Sequence, residues 1–128
     1  MAANSIYKKA REETMAGQMK PPLEKHFQKQ ALQWLIQVKR CFVWRQNQGG
    51  MKTEKSFVRF TRGVTGISDI IGMTEDGRFL AVECKRIGKK ATQQQQYFLD
   101  EVRARGGIAI CADSIESLEG QFNEQDRD

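Results

Sequence analysis

The chain has 128 residues, 39% apolar and 29% charged, which suits a single domain with a packed core and is too apolar for a disordered chain. Its formal net charge of +5 and isoelectric point near 9.3 predict attraction to polyanions. Nucleic acid is favoured over membrane, because no apolar run reaches the length of a spanning helix and the N-terminus lacks the apolar core of a signal peptide.

Residues 1–22 are polar and of mixed charge, closed by Pro21 and Pro22, and are read as an N-terminal arm ahead of a single domain over residues 23–128. Leu23, Phe27, Ala31, Trp34, Leu35 and Val38 recur at three- and four-residue steps, predicting an amphipathic helix that ends near Arg40, with Glu24 at the edge of its apolar stripe. Cys41 to Arg45 and Phe57 to Phe60 read as strands, with loop chemistry from Asn47 to Gly50 between them. Ser68 to Met73 and Arg78 to Lys85 read as a hairpin turning at Glu75, Asp76 and Gly77. Thr92 to Arg105 follows as a helix with Thr92 as N-cap and Gly106 and Gly107 as its stop. A strand from Ile108 to Ala112 and a helix from Ser114 to Phe122 complete the order, which predicts an α/β domain with a mixed sheet flanked by helices.

The charge is unevenly spread. From Lys39 to Arg62 seven basic residues stand against Glu54 alone, whereas from Asp113 to Asp128 six acids stand against Arg127. The middle segment is therefore the candidate phosphate-contacting surface. The cysteines Cys41, Cys84 and Cys111 form no paired motif and are expected as buried thiols in a reducing compartment. With His26 the only histidine, zinc is not expected.

Alternation along a strand places Phe79, Ala81, Glu83 and Lys85 on one face and Leu80, Val82 and Cys84 on the other. Asp69 joins Glu83 only if the hairpin loop has three residues, Glu75-Asp76-Gly77, with Gly77 left-handed; Ile70 then faces Val82 and Ile71 faces Ala81. A two-residue loop would set Asp69 against Cys84, on the wrong face. Two carboxylates so placed make an oxygen-rich site of the kind that Mg²⁺ or Mn²⁺ prefers, with the Cys84 backbone carbonyl as a further donor. Lys85 is expected beside them as an electrostatic and positioning group. Alone, E-x-K is most often a solvated pair on a strand, so the opposed Asp69 is what raises it to a candidate site.

The stretch from GISDIIG, through the E-C-K of LAVECKR, to TQQQQYFLDEVRARGG closely resembles the VRR-NUC (virus-type replication-repair nuclease) branch of the PD-(D/E)xK nucleases. The resemblance runs from about Leu23 to Ala112 and implies that Asp69 and Glu83 bind the metal and that Lys85 is the motif lysine. It also implies roles for a helix glutamate, here Glu24, and for a glutamine after the E-x-K strand, placed at Gln95 with Gln94 and Gln96 as alternatives. Arg45 and Asn47 correspond to the family's basic and polar segment before the aspartate. Ser68 stands where the superfamily's name has proline, a departure that touches backbone shape rather than metal binding.

The activity so implied is hydrolysis of phosphodiester bonds in branched DNA, four-way (Holliday) junctions included, by a Mg²⁺- or Mn²⁺-dependent homodimer in the cytoplasm of a bacterial or phage-infected cell. Phe42, Trp44 and the N-terminal arm are candidate interface elements. Lys52, Lys55, Arg59, Arg62 and Arg86, together with Arg45 and Asn47, are the expected DNA contacts. The rival readings are a monomeric nuclease acting on flaps, ends or nicks, a silent DNA-binding module, and a structural partner in a replication complex.

Overall fold

A computed structural model describes residues 24–46, 50–52, 57–59 and 64–127, with 50–52 and 57–59 described as backbone only. Their elements run α1 (Glu24–Gln37), β1 (Phe42–Arg45), β2 (Gly50–Lys52), β3 (Phe57–Arg59), β4 (Ile70–Met73), β5 (Phe79–Cys84), α2 (Gln93–Ala104), β6 (Ile108–Ala112) and α3 (Ile115–Asp126). Four strands form a mixed sheet in the order β1-β4-β5-β6, antiparallel except for the parallel β5–β6 pair. The α/β class and the mixed sheet are therefore as the sequence predicts. The strand pair β2–β3 is separate and antiparallel. Among the described residues no helix is long and apolar enough to cross a membrane.

Helices cover both faces of the sheet, and strand alternation decides which residue meets which helix. Leu80, Val82 and Cys84 join Ile70, Ile108, Ile110 and Ala112 on one face, beneath Phe27, Ala31, Trp34 and Leu35 of α1 and Ile115, Leu118 and Phe122 of α3. Ile71, Ala81 and Ala109 look to the opposite face, where Leu99 and Val102 of α2 close over them. A strand buried on both sides must be apolar nearly throughout, and five of the six residues of β5, Phe79–Cys84, are buried.

The ends of the elements differ from the sequence reading for identifiable reasons. Helix α1 stops at Gln37 rather than near Arg40. Arg40 turns left-handed at φ 56°, and Cys41 N–H donates back to Leu35 O at 2.9 Å, a closure that caps the exposed carbonyls of a finished helix. Lys39 is drawn out of the helix by Asn123 Oδ1 at 2.8 Å, with its ammonium above the Trp34 and Phe122 rings at 5.6 and 5.2 Å. At the other end of the chain α3 runs four residues past Phe122. Its extra turn is held by Gln125, whose amide both accepts from Ala109 N–H and donates to Ala109 O at 2.9 Å. Together with Gln121, which donates to Cys111 O at 2.8 Å, it supplies partners to β6, an edge strand of the sheet among the described residues.

Gly50 belongs to a strand, not to the loop expected from Asn47 to Gly50. Of the strands around it, β1 lies against β4 while β3 lies against β2. Residues 47–49 fall outside the described residues.

Candidate active site

The hairpin joining β4 to β5 sets the geometry of the candidate site. Thr74 N–H donates to Arg78 O at 2.8 Å and Gly77 N–H to Thr74 O at 3.0 Å, leaving Glu75, Asp76 and Gly77 as the loop. Gly77 takes φ 90°, a conformation that would strain any residue with a side chain. This is the three-residue loop that strand parity requires, and the register Ile70↔Val82 and Ile71↔Ala81 follows. Extending the ladder by one step puts Asp69 opposite Glu83.

Around this point one row crosses the sheet. Gln46 N–H donates to Asp69 O at 2.8 Å, Asp69 faces Glu83, and Glu83 is the register partner of Cys111 on β6. Asp69 Oδ2 accepts from the Cys84 amide at 2.9 Å, which fixes the carboxylate against the end of β5. Lys85 Nζ lies 3.8 Å from Glu83 Oε1, and the two side chains are 12% and 2% exposed. Glu83 Oε2 is buried and receives no hydrogen bond.

Electrostatics follow from that burial. Removal from water pushes the Glu83 carboxyl up to about 8, with the Asp69 charge adding to the rise and Lys85 opposing it. Burial also raises Asp69, against the Cys84 amide that favours its charged form. Glu24 at the start of α1 is half-buried, and its charge acts on both carboxyl groups. The structure thus brings Asp69, Glu83 and Lys85 together, with Glu24 within electrostatic reach.

The other predicted residues fall elsewhere or are not described. Thr92 and Gln95 form a reciprocal cap on α2: Gln95 N–H donates to Thr92 Oγ1 at 3.2 Å, and Thr92 N–H to Gln95 Oε1 at 2.9 Å. The phrase T-x-x-Q therefore has a helix-capping use, a signal present in the sequence. Gln96 donates to Asp100 Oδ1 at 2.8 Å. Gln94 contributes its backbone: a Cβ on Gly66, which sits at φ 73°, would come within 2.3 Å of Gln94 O. Only glycine lets the chain leading to Asp69 lie this close to the start of α2.

Arg45 and Arg86 are exposed. Lys52 and Arg59 lie on the β2–β3 pair, while Asn47, Lys55 and Arg62 lie outside the described residues. Ser68, the residue before Asp69, is fully buried. Phe42 and Trp44 are 68% and 43% exposed, their rings edge to face at 6.0 Å. Cys41 and Cys84 are buried as expected, whereas Cys111 is only partly buried, at the edge strand β6; loss of water raises all three thiols, Cys41 to about 11. His26 is an exposed residue of α1. Sequence reasoning misses Gln46 and Cys111; Gln46 follows from Trp44 by alternation, but Cys111 depends on a parallel register that no local pattern encodes.

Among the described residues no group of three or more histidine, cysteine, aspartate or glutamate side chains is gathered so as to hold a metal ion. The donors that are present suit a hard cation all the same: two carboxyl groups at the end of one sheet row, one with an oxygen that is buried and without a partner. Magnesium commonly takes one or two carboxylates and fills its remaining positions with water and substrate phosphate. Comparison with protein-family models, with curated proteins and with solved structures gives no significant match.

Proposed function

We propose that this chain is a metal-dependent DNA endonuclease with a PD-(D/E)xK-type core of the VRR-NUC kind, acting on branched DNA. The observation that carries the reading is the convergence of Asp69 and Glu83 from opposed strands, with Lys85 3.8 Å from Glu83. A buried carboxyl pair with like charges disfavours its own ionisation. A divalent cation removes that penalty, which gives the pair a reason to be there.

Asp69, Glu83 and the Cys84 carbonyl would hold Mg²⁺ or Mn²⁺, an ion whose chemistry is to acidify water and to offset charge on a phosphate. The chain's own residues then have separable tasks. The Cys84 amide keeps Asp69 aimed at the end of β5. Lys85, tethered beside Glu83, presents a positive charge toward the phosphodiester and stabilises the negative charge that builds on its oxygens. Glu24 adds negative charge from α1, strengthening the hold on a cation. The net charge of +5 draws the DNA in.

A homodimer is part of the proposal. A two-fold pair of sites matches the symmetry of a four-way junction, and β1 is an edge strand of the four-stranded sheet that exposes Phe42 and Trp44, large apolar groups that favour contact with another surface. The test is a panel of end-labelled four-way junctions, flaps, nicked and linear duplexes incubated with Mg²⁺ or Mn²⁺, with molecular mass followed by light scattering. Paired cuts in the junction by a dimer are expected. Binding without cutting in either metal would favour the silent DNA-binding module.

A further inference from the structure

Between β5 and α2 the chain carries Lys85, Arg86, Lys89 and Lys90, and no acidic residue occurs from Cys84 to Leu99. Arg86, Lys89 and Lys90 are exposed. The loop is nevertheless anchored at several points along its length. Lys85 N–H donates to Ala112 O at 2.9 Å, Lys89 N–H to Arg86 O at 2.9 Å, and Gly88 N–H to Asp113 Oδ2 at 3.2 Å. Cationic side chains on a fixed backbone lose less freedom on meeting an anion than those on a free loop.

Lys89 and Lys90 also line a cleft of about 630 Å³ together with Cys111. Cys111 is the register partner of Glu83, so the cleft opens one strand away from the buried carboxyl group. Its lining also includes Gln96, Tyr97 and Asp100 of α2. Asp100, the acid of that lining, is held by Gln96 at 2.8 Å and lies 3.9 Å from Arg103, which moderates its repulsion of an incoming anion. The N-terminal end of α2, itself partly positive, borders the same space.

We infer that this cleft seats the backbone phosphates of the DNA strand adjoining the scissile bond, with Lys89 and Lys90 as their counter-charges. The inference rests on the nuclease reading and adds a second phosphate-binding surface to the basic segment from Lys39 to Arg62. The cleft shares Cys111 with the row that holds Glu83, so a strand seated there is held beside the candidate site as well as attracted to it.

The test is binding of a fluorescent four-way junction, followed by anisotropy in EDTA across a salt series. It compares the wild type with Lys89→Ala/Lys90→Ala, and with Lys29→Ala/Arg127→Ala, which removes equal charge from exposed positions elsewhere. Matching thermal midpoints establish that all three proteins are folded. The loop variant is expected to bind more weakly, with a slope of log affinity against log salt shallower by about 0.9 for each phosphate that is no longer neutralised. The control should stay close to the wild type. A wild type that binds and cuts DNA while the loop variant matches the control overturns this inference alone. A wild type that neither binds nor cuts any DNA removes the nuclease reading, and this one with it.

Discussion

Asp69, the residue before β4, falls opposite Glu83 one step beyond the β4–β5 register, and the amide of Cys84, next to Glu83, donates to Asp69 Oδ2 at 2.9 Å. The pairing is asymmetric: the charge of Asp69 raises the energy of the charged form of Glu83, whereas the Glu83 carboxyl favours the charged form of Asp69. Asp69→Asn, Glu83→Gln and Lys85→Ala are each expected to abolish or cripple cleavage while leaving DNA binding largely intact. Single-turnover assays beside anisotropy titrations measure both, and undiminished cutting by any of the three would remove that residue from the mechanism.

The metal-free protein should lose stability as the solution becomes more alkaline. Glu83 ordinarily titrates near 4.5 but is pushed up to about 8 in the folded chain. Below 4.5 both folded and unfolded forms carry the proton. Between the two values the unfolded chain has shed it while the folded chain retains it, so stability falls with rising pH and levels off above about 8. Denaturant midpoints in EDTA, followed from mildly acidic to mildly alkaline solution, should show this decline in the wild type and much less of it in Glu83→Gln. Added Mg²⁺ or Mn²⁺ should restore the alkaline midpoint, with release of protons on binding.

The cap of α2 yields a prediction independent of catalysis. Thr92→Ala removes the acceptor for Gln95 N–H and should cost on the order of 1 kcal/mol. Gln95→Ala removes only the reciprocal bond and should cost less. If cleavage by Gln95→Ala falls far more than its thermal midpoint explains, Gln95 acts on substrate as the family resemblance implies; if the two fall together, its task is the cap.

Trp34 is almost fully buried at the centre of the α1–α3 side of the core, with the Phe122 ring edge-on at 5.9 Å. Trp34→Ala is expected to destabilise the fold by about 3–5 kcal/mol. Equilibrium unfolding of the variant measures this, and a loss below about 1 kcal/mol would mean that α1 and α3 contribute little to the core.

Replacing Lys52, Lys55 or Arg59 should weaken DNA binding and flatten its salt dependence by about 0.9 for each phosphate deprived of its counter-charge. A slope unchanged in all three variants would move the DNA-binding surface away from the middle of the chain.

The hairpin was legible in the sequence because parity couples a local choice to a distant outcome. Gly77 selects the loop length, the loop length fixes the register, and the register decides whether Asp69 meets Glu83. The strand Ile108–Ala112 was equally plain, since an uninterrupted apolar run between Gly107 and Asp113 has few other uses. The end of α3 was not, because residues 123–126 are polar and are held by Gln125 reaching across to Ala109, a bond between residues far apart along the chain. Strand β2 was hidden for a related reason: Gly50, Met51 and Lys52 lack strand chemistry of their own and pair only because Phe57 to Arg59 returns alongside. At the site, Asp69, Glu83 and Lys85 could be read from alternation, whereas Cys111 could not. Gln95 shows the opposite hazard, since one phrase reads both as a helix cap and as part of a family resemblance, and only the cap is seen in the structure.

If the Asp69–Glu83 pair holds a divalent cation, the free Mn²⁺ signal in electron paramagnetic resonance reads its uptake. Titrated with the wild-type protein and junction DNA, Mn²⁺ should disappear from the free signal at a stoichiometry that both Asp69→Asn and Glu83→Gln reduce. Equal Mn²⁺ uptake by the wild type and both variants would contradict that reading.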